Sequence, residues 1–228
     1  MPTKHFYEPD EDTFLLEDAL LQNPEHPASP QTLKSPQTLK TPKTPKTPKT
    51  PNESLVSEGG PRVIVEVGCG SGYISNVLRK LYPKAYVLST DINPHAVSES
   101  VSLLGGSFNG EVVRSSLIEG LSLDRIDMAV FNPPYLPSDP SYLSGEWIDR
   151  SWAGGKEGVE VTQGFLIATK TVPIRYLLLC TLNHPEAIMA SLSSTHTVSV
   201  LLQRKVLGEN LLVLRIALGA SGATEPVL

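Results

Sequence analysis

Apolar runs alternate with amphipathic segments through most of the chain after residue 60. The run "RVIVEVG" is almost continuously β-branched and is followed by glycines, which predicts a strand covered on both faces. Next, "SNVLRKLY" carries Val77, Leu78 and Leu81 at helical spacing, and "AYVLSTD" predicts a second buried strand that ends in an acid. In "NPHAVSESVSLL" a second helix is predicted, with Asn93 as its N-cap and Pro94 in its first turn.

The same alternation continues toward the C-terminus. The strand-like "EVVRSS" and "IDMAVF", the helical "GVEVTQGFLIATK" and the strand-like "RYLLLCTL" follow in order. Strands and helices in repetition with short connections are typical of a doubly wound α/β sheet. The last two strand-like runs, "HTVSVLLQRKV" and "ENLLVLRIAL", are joined only by "LGEN" and predict an antiparallel hairpin with a glycine at its turn.

One segment interrupts this pattern near the N-terminus. It contains "SPQTLK" twice and then "TPK" three times, a composition that buries almost nothing apolar and excludes regular structure. We therefore predict four parts: an N-terminal cap of the main domain (1–22), a disordered low-complexity insertion (23–60), the α/β domain (61–220) and a flexible tail (221–228). The insertion is either an expansion without a role or a cluster of Ser-Pro and Thr-Pro phosphorylation sites.

Composition and charge narrow the function classes. Hydrophobic residues make up 40% of the 228 and charged residues 19%, which is ordinary for a globular protein. No run approaches the roughly 20 apolar residues of a membrane span, and no signal-peptide core is recognised, so we expect a cytoplasmic protein with a nuclear pool as an alternative. Because residues 29–51 contain five lysines and no acid, the formal net charge of −5 leaves −10 on the rest of the chain, and nucleic acid is an unfavourable partner. Cys69 and Cys180 are expected to be reduced and buried, and no metal site is predicted.

The glycine loop "EVGCGSGY" follows the first predicted strand, where open α/β sheets bind ligands. Gly68, Gly70 and Gly72 allow a sharp turn and a close ligand approach to backbone N–H groups. Glu66, just before these glycines, disfavours the binding of a pyrophosphate group such as the one that dinucleotide sites hold. Asp91, at the end of the second strand, is placed to accept hydrogen bonds from both ribose hydroxyls of a nucleoside cofactor. The alternative for Asp91 is a cap of the following helix.

The stretch "FNPPY" ends the strand "IDMAVF" with two prolines. An amide or ring amino nitrogen is a weak nucleophile, because its lone pair is delocalised. The Asn132 side-chain oxygen and the Pro133 carbonyl can accept its two N–H groups and fix its orientation, while the rigidity of Pro133 and Pro134 holds these acceptors in place. Tyr135 can pack against the flat group. The alternative is an ordinary tight loop.

Together "EVGCGSGY", "TDINPHA" and "FNPPYLP" resemble class I S-adenosylmethionine-dependent methyltransferases that act on planar nitrogens. With "YEPDEDTFLLEDAL", "WAGGKEGVEV" and "GENLLVLRI" the resemblance extends to eukaryotic HemK-like release-factor glutamine methyltransferases and covers nearly the whole chain outside the insertion. It implies a Rossmann-like fold, a seven-stranded, mostly parallel sheet with a C-terminal antiparallel hairpin and helices on both faces. It also implies the cofactor S-adenosylmethionine, bound by these residues: Thr13, Glu66, Gly68, Gly70, Gly72, Asp91, Ile92, Ser116, Leu117 and Asn132. The alternative for Thr13 is an ordinary helix start, since "EDTFLL" places acids in a first turn.

The resemblance further implies methylation of the glutamine in the Gly-Gly-Gln loop of a class 1 release factor, with or without that factor's GTPase partner. It implies a small zinc-binding activator subunit, paired along a strand edge for which "EVVRSS" is the candidate. Ser116 stands where the family usually has an aspartate for adenine, so we expect weaker cofactor binding. Three alternatives are adenine in DNA as the acceptor, lysine in a protein, and a scaffold without catalysis. Trp147 and Trp152 are either substrate contacts on a mobile loop or anchors on the domain core.

Overall fold

The structure is a computed structural model that describes residues 5–22, 60–106, 109–206 and 208–219. All but residue 60 of the predicted insertion, and the whole of the predicted tail at 221–228, lie outside the described residues. The division of the chain into four parts therefore stays a prediction. In the described part of the chain, no helix combines the length and apolar character needed to cross a bilayer.

Seven strands form one sheet in the order β3-β2-β1-β4-β5-β7-β6. The first five of these strands run parallel, and β7 then pairs antiparallel with both β5 and β6. The strands are β1 Val63–Val67, β2 Tyr86–Asp91, β3 Gly110–Arg114, β4 Met128–Phe131, β5 Ile174–Cys180, β6 His196–Val206 and β7 Glu209–Leu218. The predicted fold, including the terminal hairpin, is confirmed.

Helices cover both faces of the sheet. They are α1 Glu11–Leu21, α2 Tyr73–Leu81, α3 Pro94–Leu104, α4 Trp147–Arg150, α5 Glu160–Ala168 and α6 Pro185–Leu192. Because side chains alternate across a strand, neighbours on β5 enter different cores. Tyr176 packs in the core beneath α1 and α2, and Leu177 packs in the core beneath α5 and α6. All seven residues of β5 are buried, which explains why its sequence is apolar apart from Arg175.

Helix α1 connects the N-terminal segment to the C-terminal hairpin. Asp10 caps its first turn by accepting the Glu11 N–H, and its apolar side packs against β6 and β7. On its outer side Arg204 of β6 pairs with Glu11 and Asp18. The start of α1 is thereby held at the end of the sheet where β1 and β4 finish.

Two helices were not predicted. Helix α6 has eight residues and α4 has four, which is too short for the apolar spacing of a helix to repeat. Helix α6 begins directly after His184, whose backbone is left-handed with φ +49°, an uncommon conformation for a residue other than glycine. The turn of the hairpin does contain the predicted glycine, Gly208, with φ +86°.

Candidate active site

A cleft of about 660 Å³ opens at the carboxyl ends of β1, β2 and β4. It is closed on one side by the start of α1 and on another by the segment 147–153. All but one of the predicted site residues line it: Thr13, Glu66, Gly68, Gly70, Asp91, Ile92, Ser116, Leu117, Asn132, Pro133, Pro134 and Tyr135. Residues predicted from five separate segments of the sequence thus share one cavity.

Gly72 is the exception, because it does not line the cleft. It is the left-handed N-cap of α2 with φ +83°, and a β-carbon there would lie 2.9 Å from the Ser100 hydroxyl on α3. The glycine is required for the close packing of two helices. A cofactor contact, predicted for Gly72, is therefore not supported by its position.

The other two glycines of the loop shape the floor of the cleft. Gly68 and Gly70 have φ values of +64° and +54°, which favour glycine. A β-carbon on Gly68 would stand only 3.0 Å from the Phe131 ring, and one on Gly70 would meet the Tyr7 carbonyl at 3.6 Å. A side chain at Gly70 would fill the space between the turn and the N-terminal segment, and one at Gly68 would press on Phe131.

Asp91 is tied to the glycine turn. Its carboxylate accepts the Gly70 N–H at 2.9 Å and the Asn93 N–H at 2.8 Å. Burial raises the pKa of Asp91, whereas these backbone donors oppose the rise. A carboxylate has about four acceptor positions, and the Ile92 N–H is a third backbone donor, so one position remains for a ligand in the cleft. The helix-cap alternative is not what the structure shows, since Asn93 caps α3 by accepting the His95 N–H at 2.9 Å.

Glu66 lies beneath the glycine turn and is buried. It accepts a hydrogen bond from the Ser75 hydroxyl, and Ser75 is in turn bonded to Ser89 at 2.5 Å. Burial and the nearby Asp91 charge raise the pKa of Glu66 to about 8, although the Ser75 hydrogen bond opposes this. The side chain is therefore mostly protonated at neutral pH when no ligand is bound.

The side-chain amide of Asn132 has a hydrogen-bond partner at its nitrogen but none at its oxygen. Its amide nitrogen donates to Asp12 Oδ2 at 3.2 Å, whereas its Oδ1 is buried and has no hydrogen-bond partner. Asp12 is itself buried and also accepts from Thr13 and from the Tyr7 hydroxyl at 3.2 Å. Because a carboxylate accepts only from the NH₂ end of an amide, Asp12 fixes which end of Asn132 remains available.

Tyr135 is held at both of its ends. Its hydroxyl is hydrogen bonded to Glu209 at the start of β7, and its carbonyl accepts from Asn183 at 2.8 Å. Burial, followed by the charges of Asp12 and Glu209, raises the pKa of Tyr135. The ring is half-buried in the wall of the cleft beside Pro133 and Pro134.

The segment with both tryptophans forms the opposite wall. The Arg150 guanidinium lies 4.7 Å from the Trp147 ring centre, and the Arg114 guanidinium lies 5.9 Å from it. Trp152 packs against Tyr142 at 5.2 Å between ring centres. Both tryptophans line the cleft and both are packed against neighbours, so both alternatives raised for them stay open.

Comparison with known proteins now identifies the site. The Methyltransferase small domain family model matches residues 53–141. Methyltransferase HEMK2 of Homo sapiens is 31% identical over 193 residues, covering 80% of this chain and 75% of that protein. The chain belongs to the eukaryotic HemK-like methyltransferases. The eRF1 methyltransferase catalytic subunit mtq2 of Schizosaccharomyces pombe is 29% identical over 170 residues, 66% of this chain and 74% of that protein. A chain of the solved E. cuniculi Mtq2-Trm112 complex superposes with a TM-score of 0.66 at 27% identity, covering 95% of this chain and all of that one.

HemK-like methyltransferases use S-adenosylmethionine, and the cleft of this member fits that cofactor. Gly68 and Gly70 leave the space that side chains would fill, Asp91 keeps an acceptor position for a ligand, and the buried Asn132 Oδ1 has no partner. Thr13, Ile92, Ser116 and Leu117 complete the wall. Leu117 has a left-handed backbone with φ +51°, held in part by its carbonyl, which accepts the Thr90 hydroxyl at 2.7 Å.

Several residues of this HemK-like site were not predicted from the sequence. They are Tyr7, Asp12, Asn183 and Glu209, which act on Asn132 or Tyr135 through hydrogen bonds. Asp12 had one usable signal, since it precedes Thr13 in "EDTFLL" and an acid is expected at a helix start. The other three carry no local pattern that points to a site.

Replacing Ser116 with aspartate is expected to tighten cofactor binding about fivefold, since a neutral contact becomes a charge-assisted one worth about 1 kcal/mol more. Titration calorimetry with S-adenosylmethionine measures this change. Ser116→Asn serves as a matched variant of similar size without the charge. An unchanged dissociation constant for Ser116→Asp would show that this side chain does not contact the cofactor.

Replacing Asp12 with asparagine is expected to lower the rate of methyl transfer about tenfold. An amide at position 12 can pair with either end of the Asn132 amide, so the Oδ1 of Asn132 is no longer kept toward the cleft, and small losses of orientation are costly. Asp18→Asn removes an equal charge from the same helix away from the cleft and is expected to leave the rate unchanged. Equal rates for both variants would contradict the role of Asp12.

Proposed function

We propose that this methyltransferase transfers a methyl group to the side-chain amide nitrogen of the glutamine in the Gly-Gly-Gln loop of a class 1 translation release factor. The observation that carries the proposal is the buried, unpartnered Oδ1 of Asn132, next to the Pro133 carbonyl on a rigid loop. A primary amide has two N–H donors and is flat, which suits two fixed acceptors and a neighbouring ring.

The residues of the loop act on the acceptor nitrogen by orienting it. In a free amide the nitrogen lone pair is delocalised into the carbonyl, so that the nitrogen is a weak nucleophile. Asn132 Oδ1 and the Pro133 carbonyl accept hydrogen bonds from its two N–H groups. These bonds fix the nitrogen in space and increase its electron density. Bound S-adenosylmethionine supplies an electrophilic methyl group on a positively charged sulfur. The nitrogen loses one proton to solvent once it carries the methyl group, so no strong base is needed in the cleft.

The named relatives support the choice of acceptor. The S. pombe relative is named for methylation of eRF1, and the E. cuniculi complex is described as responsible for the methylation of the eRF1 translation termination factor. In the cleft of this chain, Asn132 and Tyr135 are both fixed by side chains from distant parts of the chain. We also propose the release factor's GTPase partner as a component of the substrate complex, and the cytoplasm, with a nuclear pool, as the location.

A small zinc-binding activator subunit is proposed as the partner, pairing with β3. Among the described residues no strand pairs with the outer side of β3, which is the edge of the sheet. Val101 and Leu103 on α3, which packs against β3, are each about half exposed. An open edge beside exposed apolar side chains is typical of a surface covered by a partner. The E. cuniculi structure contains Trm112 together with Mtq2.

Transfer of a tritiated methyl group tests the proposal. The full chain, purified with and without the activator subunit, is incubated with labelled S-adenosylmethionine and one of four acceptors. These are the release factor, the release factor with its loop glutamine changed to asparagine, a lysine-rich protein and duplex DNA. We expect label only in the unchanged release factor. Label in DNA or in the asparagine variant would contradict the proposed acceptor.

A further inference from the structure

Asn183 lies just beyond the end of β5 and outside the motifs of the cleft. Its side chain is completely buried, and every polar group on it is used. The Oδ1 accepts the Cys180 N–H at 2.9 Å. The NH₂ group faces three carbonyl oxygens, those of Tyr135 at 2.8 Å, Glu157 at 3.2 Å and Gly158 at 3.2 Å. One side-chain amide thus donates hydrogen bonds to carbonyl groups from two separate loops.

The first of these loops is the one that holds the proposed acceptor contacts. Tyr135 directly follows Asn132, Pro133 and Pro134, so its carbonyl marks the exit of that rigid segment. After Tyr135 the chain is paired with the second loop, since Leu136 forms a parallel bridge with Ala153. The backbone bonds of this pairing are Leu136 N–H to Trp152 O at 3.1 Å, Gly154 N–H to Leu136 O at 2.8 Å and Ser138 N–H to Gly155 O at 2.9 Å.

The second loop is packed so closely that no other group has room to take the place of the Asn183 amide. A β-carbon on Gly158 would overlap the Tyr135 carbonyl oxygen and would lie 2.7 Å from Asn183 Nδ2. The neighbouring Glu157 has a left-handed backbone with φ +57°, an unfavourable conformation that its surroundings must hold. Without the NH₂ group, three carbonyl oxygens would face one another with no donor between them, which is costly in a buried place.

We propose that Asn183 is a positioning residue for methyl transfer, which holds the Asn132–Tyr135 segment in its reactive geometry through the Tyr135 carbonyl. Tyr135 is then fixed at its backbone by Asn183 and at its hydroxyl by Glu209. Asn183 itself does not line the cleft, so its effect falls on the rate of transfer and leaves cofactor binding in place. The inference rests on the proposed function for its activity assay.

Two substitutions separate this role from a general loss of stability. Asn183→Ala removes the amide, whereas Asn183→Asp keeps its shape and its acceptor for the Cys180 N–H but loses the NH₂ donors. Both are expected to lower kcat about 30- to 100-fold, with the dissociation constant for S-adenosylmethionine within about twofold of the unchanged protein. Thr169→Val is the matched control, because Thr169 is also buried and its hydroxyl donates to the Phe165 carbonyl at 2.7 Å, away from the cleft. Its kcat is expected to be unchanged.

The dependence of the rate on pH distinguishes a positioning role of Asn183 from a merely structural one. A carboxyl group at position 183, buried among carbonyl oxygens, favours its protonated form, and that form can donate one hydrogen bond to them. The rate of Asn183→Asp relative to the unchanged protein is therefore expected to rise as pH falls from about 9 to about 6. The same ratio for Asn183→Ala is expected to stay flat.

Hydrogen exchange of the complex between the full chain and its activator subunit tests the positioning without any acceptor. In Asn183→Ala the amides of Leu136 and Ser138 are expected to exchange faster, while those of β1 and β2 do not change. If the unchanged protein fails to label the release factor but these amides loosen, the proposed acceptor is wrong and the positioning role stands. Unchanged exchange, or rates of both variants within about twofold of the unchanged protein, would overturn the role of Asn183.

Discussion

Replacing Asn132 with alanine is expected to lower the rate of methyl transfer by about 10²- to 10³-fold, the usual cost of removing one preorganised polar group from an active site. The physical reason is the loss of Oδ1, which is buried, has no partner in the protein and is kept toward the cleft by Asp12. An acceptor amide would then be held by the Pro133 carbonyl alone and would be free to rotate. Single-turnover kinetics with the release factor measure this rate.

Two variants complete that experiment. Asn132→Asp keeps an oxygen at the position but places a second carboxylate beside Asp12, so the rate is again expected to fall. Asn76→Ala, on α2 and outside the cleft, is expected to have no effect on the rate. The interpretation would be wrong if Asn132→Ala retained more than about a tenth of the rate.

Replacing Glu66 with glutamine is expected to stabilise the protein without cofactor by about 3 kcal/mol at neutral pH. The pKa of Glu66 is raised from its ordinary value of 4.5 to about 8 in the folded protein. Between these two values the folded state binds more protons than the unfolded state, so the free energy of unfolding falls as pH rises through this window. Glutamine keeps the acceptor for Ser75 but has no proton to lose.

Urea unfolding as a function of pH measures this difference. It is expected to be absent near pH 4.5, to grow as pH rises and to level off above about pH 8. Glu99→Gln, an exposed acid on α3, is the matched control and is expected to show no such trend. A difference that is the same at every pH would show that Glu66 is not the group responsible.

The elements of the sheet are strongly predictable because burial on both faces leaves a continuous apolar signal. β1, β4 and β5 are almost entirely buried, and each was predicted from its sequence. Short elements such as α4 and α6 are not, since their residues do not span enough turns to show a period. The order of the strands leaves no local pattern along the chain. The alternation of elements predicted a doubly wound sheet with a terminal hairpin, and only the family resemblance implied that this sheet has seven strands.

The site shows the same division between local and distant signals. The glycine turn, Asp91 and the Asn132–Tyr135 segment are short motifs at strand ends, and the structure gathers them in one cleft. The residues that fix them are far away in sequence, since Asp12 and Asn132 are separated by 120 positions and Asn183 and Tyr135 by 48. A hydrogen bond between such residues leaves no pattern along the chain. Gly72 differs from the rest of its motif, because it lies outside the cleft where two helices pack, and its cofactor contact stays a prediction.

The proposed acceptor can be tested most directly by fragment mass spectrometry of the release factor after reaction with the purified complex and S-adenosylmethionine. We predict one added methyl group on the side-chain amide of the glutamine in the Gly-Gly-Gln loop, absent when the complex carries Asn132→Ala. A methyl group on a lysine or on any other residue of the factor, or an equal yield from the Asn132→Ala complex, would contradict the proposal.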